Sequence, residues 1–253
     1  MFAPADLTED GFLGGRLRIA QPKSGYRSAM DAVFLAAACD AHAGQSVLEL
    51  GCGAGVASLC LGARVAGLVQ AGLEVQPRYA ALARANAQAN TQVLEVFEGD
   101  LAQMPADLRA RSFDHVIANP PYFIAQSGTP ANDREREYAL REATPLAHWL
   151  DAGLRRLRPE GVMTLIQQAD RLADILEGLK GRAGAITVLP IAPRVGRPAR
   201  RVIVQARKGA RAPLVLLAPL IVHGATHHTQ DAEDLSDVAR EILRDGQKLL
   251  ISR

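Results

Sequence analysis

The chain has 253 residues and a net charge of +2, with 48% hydrophobic and 22% charged residues. This length and composition are typical of one sizeable globular domain, and they exclude a disordered or fibrous chain. No apolar run is long enough to span a bilayer, and residues 1–10 lack a signal-peptide pattern. We therefore expect a cytoplasmic protein with no membrane segment.

The cysteine and histidine pattern argues against disulfides and metals. Cys39, Cys52 and Cys60 include no C-x-x-C pair, and their odd number does not suit a disulfide framework. The six histidines are scattered, and no H-E-x-x-H motif occurs. We expect small buried cysteines and no metal site.

Predicted elements divide the chain into a lead-in, residues 1–41, with a helix at 29–38, and a main domain, residues 42–253, with a C-terminal extension. In the main domain, strands are predicted at 46–50, 69–75, 93–97, 113–118 and 162–167. Helices are predicted between and after them at 56–65, 78–90, 146–156 and 172–179. Residues 186–191 and 201–206 are expected to close the sheet as an antiparallel pair, before an apolar segment at 214–222 and a helix at 235–243. This alternation predicts an α/β, Rossmann-like fold: a mostly parallel, twisted sheet with helices on both faces and an antiparallel C-terminal strand.

A glycine-rich turn follows the first strand of the main domain. Glu49 stands near the strand end, and Gly51, Gly53 and Gly55 lead into the next helix. Glycines there let the backbone approach a ligand closely. Dinucleotide binding would need G-x-G-x-x-G/A, which the position of Val56 breaks. The pattern resembles motif I of class I methyltransferases, and a purely structural turn is the alternative.

Two further carboxylates follow the next strands. Glu74 closes the second strand about twenty residues after the glycines, where a carboxylate can accept both ribose hydroxyls of a nucleoside. A solvated acid at a strand end is the alternative. Asp100 follows the third strand and can accept a hydrogen bond from an adenine amino group or, alternatively, cap its own loop.

The tetrapeptide Asn119-Pro120-Pro121-Tyr122 follows the fourth strand, at the edge of the sheet where the glycines and Glu74 lie. The lone pair of an adenine amine or glutamine amide is delocalised, which makes the nitrogen a poor nucleophile. The Asn119 side-chain oxygen and the Pro120 carbonyl can both accept hydrogens from such an NH₂ group and aim its lone pair. Tyr122 offers a face for stacking a planar target. A loop stiffened by prolines is the alternative.

Positive charge is concentrated late in the chain. Residues 181–230 contain no Asp or Glu and eight basic residues. This imbalance favours a polyanionic partner, with a solvated loop as the alternative. Residues 125–137 are polar and are predicted to form a mobile loop. The candidates for phosphate contact are Lys23, Arg27, Arg194, Arg197, Arg200 and Arg201.

The sequence resembles the bacterial tRNA adenine-N6 methyltransferases, in particular those acting on valine tRNA. The shared features are a lead-in around Tyr26 and Arg27, the glycine turn, the strand-end acids, the N-P-P-Y tetrapeptide and a tail signature at residues 213–223. The resemblance implies that the lead-in borders and caps the active site. It also implies that Gly51, Gly53, Glu74 and Asp100 hold S-adenosylmethionine. Glu49 and Gly55 of the same turn complete the cofactor-binding candidates.

The leading hypothesis is therefore methylation of the N6 amine of an adenine in RNA, with tRNA as the expected partner. The resemblance implies that residues 119–122 hold the adenine, and the substrate-binding candidates are Tyr26, Arg27, Arg194, Arg197 and Arg200. Three alternatives stay open. Enzymes that methylate a glutamine of a release factor also carry N-P-P-Y, and those that methylate a guanine amine of ribosomal RNA carry close variants. The third alternative is an RNA-binding module without turnover.

Overall fold

A computed structural model describes residues 2–121, 144–224 and 234–251 of the chain. Tyr122 and the predicted loop at 125–137 lie outside these described residues.

The main structural element is a nine-stranded sheet. Its strands are β3 Ser46–Leu50, β4 Val69–Glu74, β5 Glu95–Glu98, β6 Phe113–Ala118, β7 Leu157–Gln168, β8 Ala183–Ala192, β9 Arg201–Lys208, β10 Val215–Leu216 and β11 Leu220–Ile221. The strand order is β10-β8-β9-β7-β6-β3-β4-β5, and β11 pairs with β8. Only β9 is antiparallel to its neighbours, β7 and β8. The predicted α/β fold and its late antiparallel strand are confirmed.

Helices cover both faces of this sheet. They are α1 Met30–Ala38, α2 Val56–Arg64, α3 Pro77–Ala89, α4 Ala106–Arg109, α5 Leu146–Arg156, α6 Leu172–Leu179 and α7 Asp237–Leu243. Two hydrophobic clusters result, one under α1, α2, α3 and α7 and the other under α5 and α6. Successive residues of a strand enter opposite clusters, as Val47 and Leu48 do in β3. The three cysteines are buried and free, as expected.

The lead-in contains a hairpin that the sequence analysis missed. Strands β1 Leu7–Phe12 and β2 Leu17–Pro22 pair antiparallel, with Leu7 opposite Pro22, and form a separate two-stranded sheet. Leu17 and Ile19 of β2 are buried in the cluster that also contains α1, whereas Arg18 between them is exposed. The hairpin and α1 thus pack on the same face of the sheet as α2 and α3.

Two asparagines of the α3 region attach β2 by pairing with its backbone. The Asn86 side chain accepts from the N–H of Ala20 at 2.9 Å and donates to the Ala20 carbonyl at 3.0 Å. The Asn90 side chain does the same one helical turn later, accepting from the Arg18 N–H at 3.0 Å and donating to its carbonyl at 2.8 Å. Asn86 also donates to the carbonyl of Ala54 at 2.9 Å. A single buried amide therefore joins the lead-in hairpin to the glycine turn.

Replacing Asn86 should destabilise the protein strongly. Asn86→Ala leaves three backbone groups without their partner, and we expect the free energy of unfolding to fall by about 3 kcal/mol. Asn90→Ala is the matched control. Asn90 is half-buried, so water can replace its contacts, and the expected loss is about 1 kcal/mol. Urea unfolding of both variants measures the difference, and equal losses would contradict the role given to Asn86.

Candidate active site

The glycine turn has a backbone that other residues would strain. Gly51, Gly53 and Gly55 have φ values of +66°, +55° and +85°. A Cβ on Gly51 would lie 2.5 Å from Cη2 of Trp149, and a Cβ on Gly53 would lie 3.5 Å from the ring of Tyr26. Gly55 is the N-cap of α2. The turn is therefore packed between two aromatic side chains with no room at Gly51 for any side chain.

Glu74 lies at the carboxyl end of β4, directly against this turn. It is 3% exposed, and its two carboxylate oxygens accept the backbone N–H groups of Gly53 and Gln76, each at 2.9 Å. These bonds fix the carboxylate beside the glycines, where the sequence predicted a ribose-binding acid.

Glu49 is a second buried carboxylate below the turn. It accepts from the backbone N–H and the hydroxyl of Ser58, at 3.0 Å and 2.5 Å. The pKa of Glu49 is raised to about 7, chiefly by burial and in smaller part by the charge of Glu74, against the opposing effect of the hydrogen bonds from Ser58. The first turn of α2 thus donates to a carboxylate of the protein itself.

The charges at the turn select the kind of cofactor that fits. A dinucleotide pyrophosphate is held by free N–H groups at such a helix start. Here the N–H groups of Gly53 and Ser58 already bond to Glu74 and Glu49, so they are not available to a phosphate. A carboxylate beside the turn would also repel a phosphate. A ligand that carries positive charge and ribose hydroxyls fits this set of groups. S-adenosylmethionine has both.

Asp100 is exposed and lies just past β5. Its Oδ1 atom accepts the backbone N–H of Ala102 at 2.8 Å. That contact is the loop-capping alternative considered for this residue. Contact with a cofactor adenine stays a prediction.

Asn119 follows β6 and is half-buried. Its Nδ2 donates to the hydroxyl of Tyr26 at 3.4 Å, and the Tyr26 carbonyl accepts from the Tyr79 hydroxyl at 2.9 Å. Because the Tyr26 ring also lies over Gly53, this tyrosine connects the glycine turn to Asn119. Its hydroxyl orients the amide so that the NH₂ group faces Tyr26 and the oxygen remains available as an acceptor.

The two prolines that follow contact a residue that the sequence analysis missed. Pro120 is buried, and the Nε2 atom of Gln167 lies 3.3 Å from its carbonyl oxygen and 3.4 Å from that of Pro121. Gln167 is fully buried near the end of β7. The only sequence signal for it was a polar residue at the end of the mostly apolar segment 162–167.

Several of the basic candidates are held by acids of the protein. Arg27 bonds to Asp10 at 2.6 Å and to the hydroxyl of Thr8 at 2.7 Å. Arg194, with a side chain 15% exposed, pairs with Asp234 at 2.6 Å. Arg201 likewise pairs with Asp31 at 2.9 Å. The first pair lies within the lead-in, the second joins the segment after β8 to the tail, and the third joins β9 to α1. A phosphate contact would compete with each of them.

Arg197 and Arg200 are exposed in the turn that joins β8 to β9, residues 193–200. Because β9 begins opposite Gln168 at the end of β7, this turn lies at the same edge of the sheet as Asn119. Strand spacing places it roughly 10–15 Å from β6. Lys23 is exposed in the lead-in segment close to Tyr26.

A cavity of about 360 Å³ lies at the opposite edge of the sheet. Its lining includes Ser46, Phe113 and Val69, each the first residue of its strand. Ligands of open α/β sheets bind beyond the carboxyl ends of the strands, so this cavity is not the candidate site. The described part of the chain contains no cluster of three metal-ligating side chains and no helix long and apolar enough to cross a membrane.

Comparison with known proteins identifies the family. The family model of the methyltransferase small domain matches residues 24–134. A tRNA1(Val) (adenine(37)-N6)-methyltransferase of Porphyromonas gingivalis is 33% identical over 178 residues, which cover 67% of this chain and 69% of the relative. The chain belongs to this methyltransferase family. A methyltransferase of the same name from Dickeya chrysanthemi is 26% identical over 84% of this chain and 85% of its own length.

Solved methyltransferase structures share the fold. A predicted O-methyltransferase from Agrobacterium tumefaciens is 25% identical, with a TM-score of 0.70 over 87% of this chain and 98% of that one. The tRNA (m1A58) methyltransferase TrmI from Aquifex aeolicus is 16% identical, with a TM-score of 0.53 over 76% of this chain and 73% of that one. The protein is thus a class I methyltransferase with S-adenosylmethionine as its cofactor, as the sequence analysis expected.

The raised pKa of Glu49 should make the stability of the cofactor-free protein depend on pH. Because the folded protein binds this proton more tightly than the unfolded chain, the stabilisation is complete below about pH 4.5 and is lost as pH rises to about 7. The loss approaches about 1.4 kcal/mol per pH unit. Glu49→Gln keeps an acceptor for Ser58 but has no proton to lose.

Urea unfolding at several pH values measures this effect. The stability of Glu49→Gln should fall less than that of the wild type between about pH 5 and 7.5. Glu160→Gln, which removes an exposed carboxylate, is the control and should follow the wild type. Parallel curves for the wild type and Glu49→Gln would contradict the assignment.

Proposed function

We propose that this methyltransferase transfers a methyl group to the exocyclic N6 amine of an adenine in RNA, and that the RNA is tRNA. The observation that carries the proposal is the position of Asn119 and Pro120 at the end of β6, joined to the glycine turn by Tyr26. The names of the curated relatives point to the same substrate.

The nitrogen of an aromatic amine is a poor nucleophile because its lone pair is delocalised into the ring, and two hydrogen-bond acceptors in the site can counter this. The Asn119 side-chain oxygen and the Pro120 carbonyl each accept one hydrogen of the NH₂ group. Held in this way, the nitrogen directs its lone pair out of the ring plane and towards the methyl donor. S-adenosylmethionine supplies an electrophilic methyl group on a sulfonium. Asn119 cannot act as a base, so the proton leaves to solvent after transfer.

Tyr26 and Tyr122 have separate roles in this proposal. Tyr26 orients the Asn119 amide through its hydroxyl, at 3.4 Å. Tyr122, predicted from the sequence alone, stacks on the target base, a contact of about 1–3 kcal/mol. The lead-in, residues 1–41, caps the site of the main domain, residues 42–253, through the contact of Tyr26 with the glycine turn.

The cofactor is assigned to the glycine turn and the carboxylates around it. Gly51, Gly53 and Gly55 give the backbone room, and Glu74 accepts the ribose hydroxyls. Glu49, whose pKa is about 7 in the cofactor-free protein, is shifted towards its ionised form by a cationic ligand. Asp100 faces the adenine of the cofactor and gives up its contact with its own loop to do so.

The RNA backbone is assigned to exposed cations at the carboxyl edge of the sheet. Arg197 and Arg200 contact phosphates on one side of Asn119, and Lys23 does so on the other. Arg27 and Arg194 contribute as their ion pairs rearrange. Such contacts position the RNA without reading its sequence. Because the substrate is tRNA, the protein acts in the cytoplasm.

A comparison of acceptors tests the proposal directly. The protein is incubated with labelled S-adenosylmethionine and unmodified tRNA, ribosomal RNA or release factor, and the product is digested to identify the methylated unit. We expect N6-methyladenosine from tRNA. Methylglutamine or N2-methylguanosine would move the proposal to another acceptor, a methylated oxygen would fit the name of the Agrobacterium structure, and no label would indicate a binding module.

Two substitutions should separate cofactor binding from the transfer step. Glu74→Ala removes the ribose acceptor and should weaken S-adenosylmethionine binding by about tenfold or more. Asn119→Ala should leave that affinity nearly unchanged and lower kcat by about 10²-fold. Calorimetric titration and single-turnover kinetics measure the two effects, and an equal loss of cofactor affinity in both variants would contradict this division.

A further inference from the structure

We propose that Gln167 is a positioning residue for methyl transfer, because its side-chain amide holds the carbonyl groups of Pro120 and Pro121 at the end of β6. The inference rests on the proposed function, in which the Pro120 carbonyl accepts a hydrogen of the target amine. The defining observation is a single buried nitrogen, Nε2 of Gln167, within 3.3 Å and 3.4 Å of the two oxygens.

The sheet explains why a side chain is needed there. Inside the parallel pair, Ala118 of β6 lies opposite Leu165 of β7. Gln167 is two residues further on, so its side chain points to the same face as that of Leu165 and reaches the chain where β6 has ended. Backbone pairing of β6 with β7 has stopped before Pro120 and Pro121. Their carbonyls therefore have no partner from the neighbouring strand and need a donor from elsewhere.

Gln167 has the hydrogen-bonding groups for this task. Its NH₂ carries two hydrogens, which match two carbonyls, and its Oε1 accepts the backbone N–H of Gln168 at 2.8 Å. The residue has 0% exposure, so water cannot replace these contacts. A buried amide costs stability unless it is bonded, and an apolar side chain would pack there as well. The polar group is therefore explained by the carbonyls it holds.

The hydrogen bond from Gln167 does not prevent the Pro120 carbonyl oxygen from accepting a second hydrogen bond. A carbonyl oxygen has two lone pairs, so the Pro120 oxygen can accept from Gln167 and from the target amine together. Distances of 3.3 Å and 3.4 Å from one nitrogen to two oxygens describe an NH₂ group shared between the two carbonyls. Gln167 thus fixes the direction in which the Pro120 carbonyl meets the amine, without contacting the amine.

Two variants of Gln167 test the proposal. Gln167→Met keeps the length and packing of the side chain but cannot donate, and kcat should fall by about 10²-fold. The KM for S-adenosylmethionine and for tRNA should stay within about twofold of the wild type. Gln168→Glu, one residue away and half-buried, is the control and should keep the wild-type kcat.

The pH dependence of kcat in Gln167→Glu separates a positioning role from a purely structural one. An ionised glutamate repels both carbonyls, whereas a protonated one donates to one of them. Burial raises the pKa of such a carboxyl. The kcat of Gln167→Glu relative to the wild type should therefore rise as pH falls from about 8 to about 6. Gln168→Glu should show no such rise.

A failure of the Gln167 proposal can be told apart from a failure of the proposed function. Wild-type activity on tRNA tests that function, and the ratio of variant to wild type tests Gln167. If the wild type methylates another acceptor, the same ratios are measured on that acceptor, because any amino nitrogen needs the Pro120 carbonyl in place. A Gln167→Met kcat near that of the wild type, or a pH-independent ratio for Gln167→Glu, overturns the proposal.

Discussion

The carbonyl groups beyond the end of β6 are the constraint on which the site depends. A buried carbonyl must find a donor, and within the sheet the neighbouring strand supplies it. At Pro120 the strand pairing has ended, and the side chain of Gln167 supplies the donor. One lone pair of that oxygen stays available. In the proposed mechanism this backbone oxygen accepts a hydrogen of the target amine, and its position follows from where the strands end.

Two buried carboxylates determine the charge around the glycine turn. Glu49 and Glu74 are each less than 5% exposed, and they occupy backbone N–H groups that a phosphate would otherwise use. Burying two negative charges close together is unfavourable, which is one reason why the pKa of Glu49 is raised. A cationic cofactor relieves that repulsion. A glycine turn before a helix suits a pyrophosphate in dinucleotide enzymes, whereas here two acidic side chains favour a cationic ligand instead.

The sequence predicted the regular elements well and the long-range polar contacts poorly. Helices at 146–156 and 172–179 have the predicted bounds because their apolar positions repeat at helical spacing. The hairpin β1–β2 was missed since its first strand, LTEDGF, contains polar residues and a glycine. Strand β7 begins at Leu157, earlier than predicted, because Pro159 and Gly161 resemble a turn. The strand nevertheless starts at Leu157, because this residue pairs with Phe113 of β6.

In the candidate site, too, the residues at strand ends were predictable from the sequence and the long-range ion pairs were not. The glycines, Glu74 and Asn119 follow strand ends, so their meeting at one edge is a consequence of parallel strands and could be predicted. The partners of Arg27 and Arg194 could not, because Asp10 and Asp234 are brought near by the fold of the lead-in and the tail. The sequence alone does not show whether a basic residue is already paired with an acidic residue of the protein. Such a pair makes the basic residue less available to a phosphate.

The geometry of the edge also limits the form of the RNA. The acceptors at Asn119 and Pro120 lie between the lead-in around Tyr26 and the turn at 193–200, and both of these elements carry exposed cations. An adenine in a duplex has its N6 amine engaged in pairing and its faces stacked, so it cannot reach such acceptors without leaving the helix. An unpaired base in a loop avoids most of that cost. With cations on either side to hold the flanking phosphates, the crevice suits a base extruded from a single-stranded loop better than one in a stem.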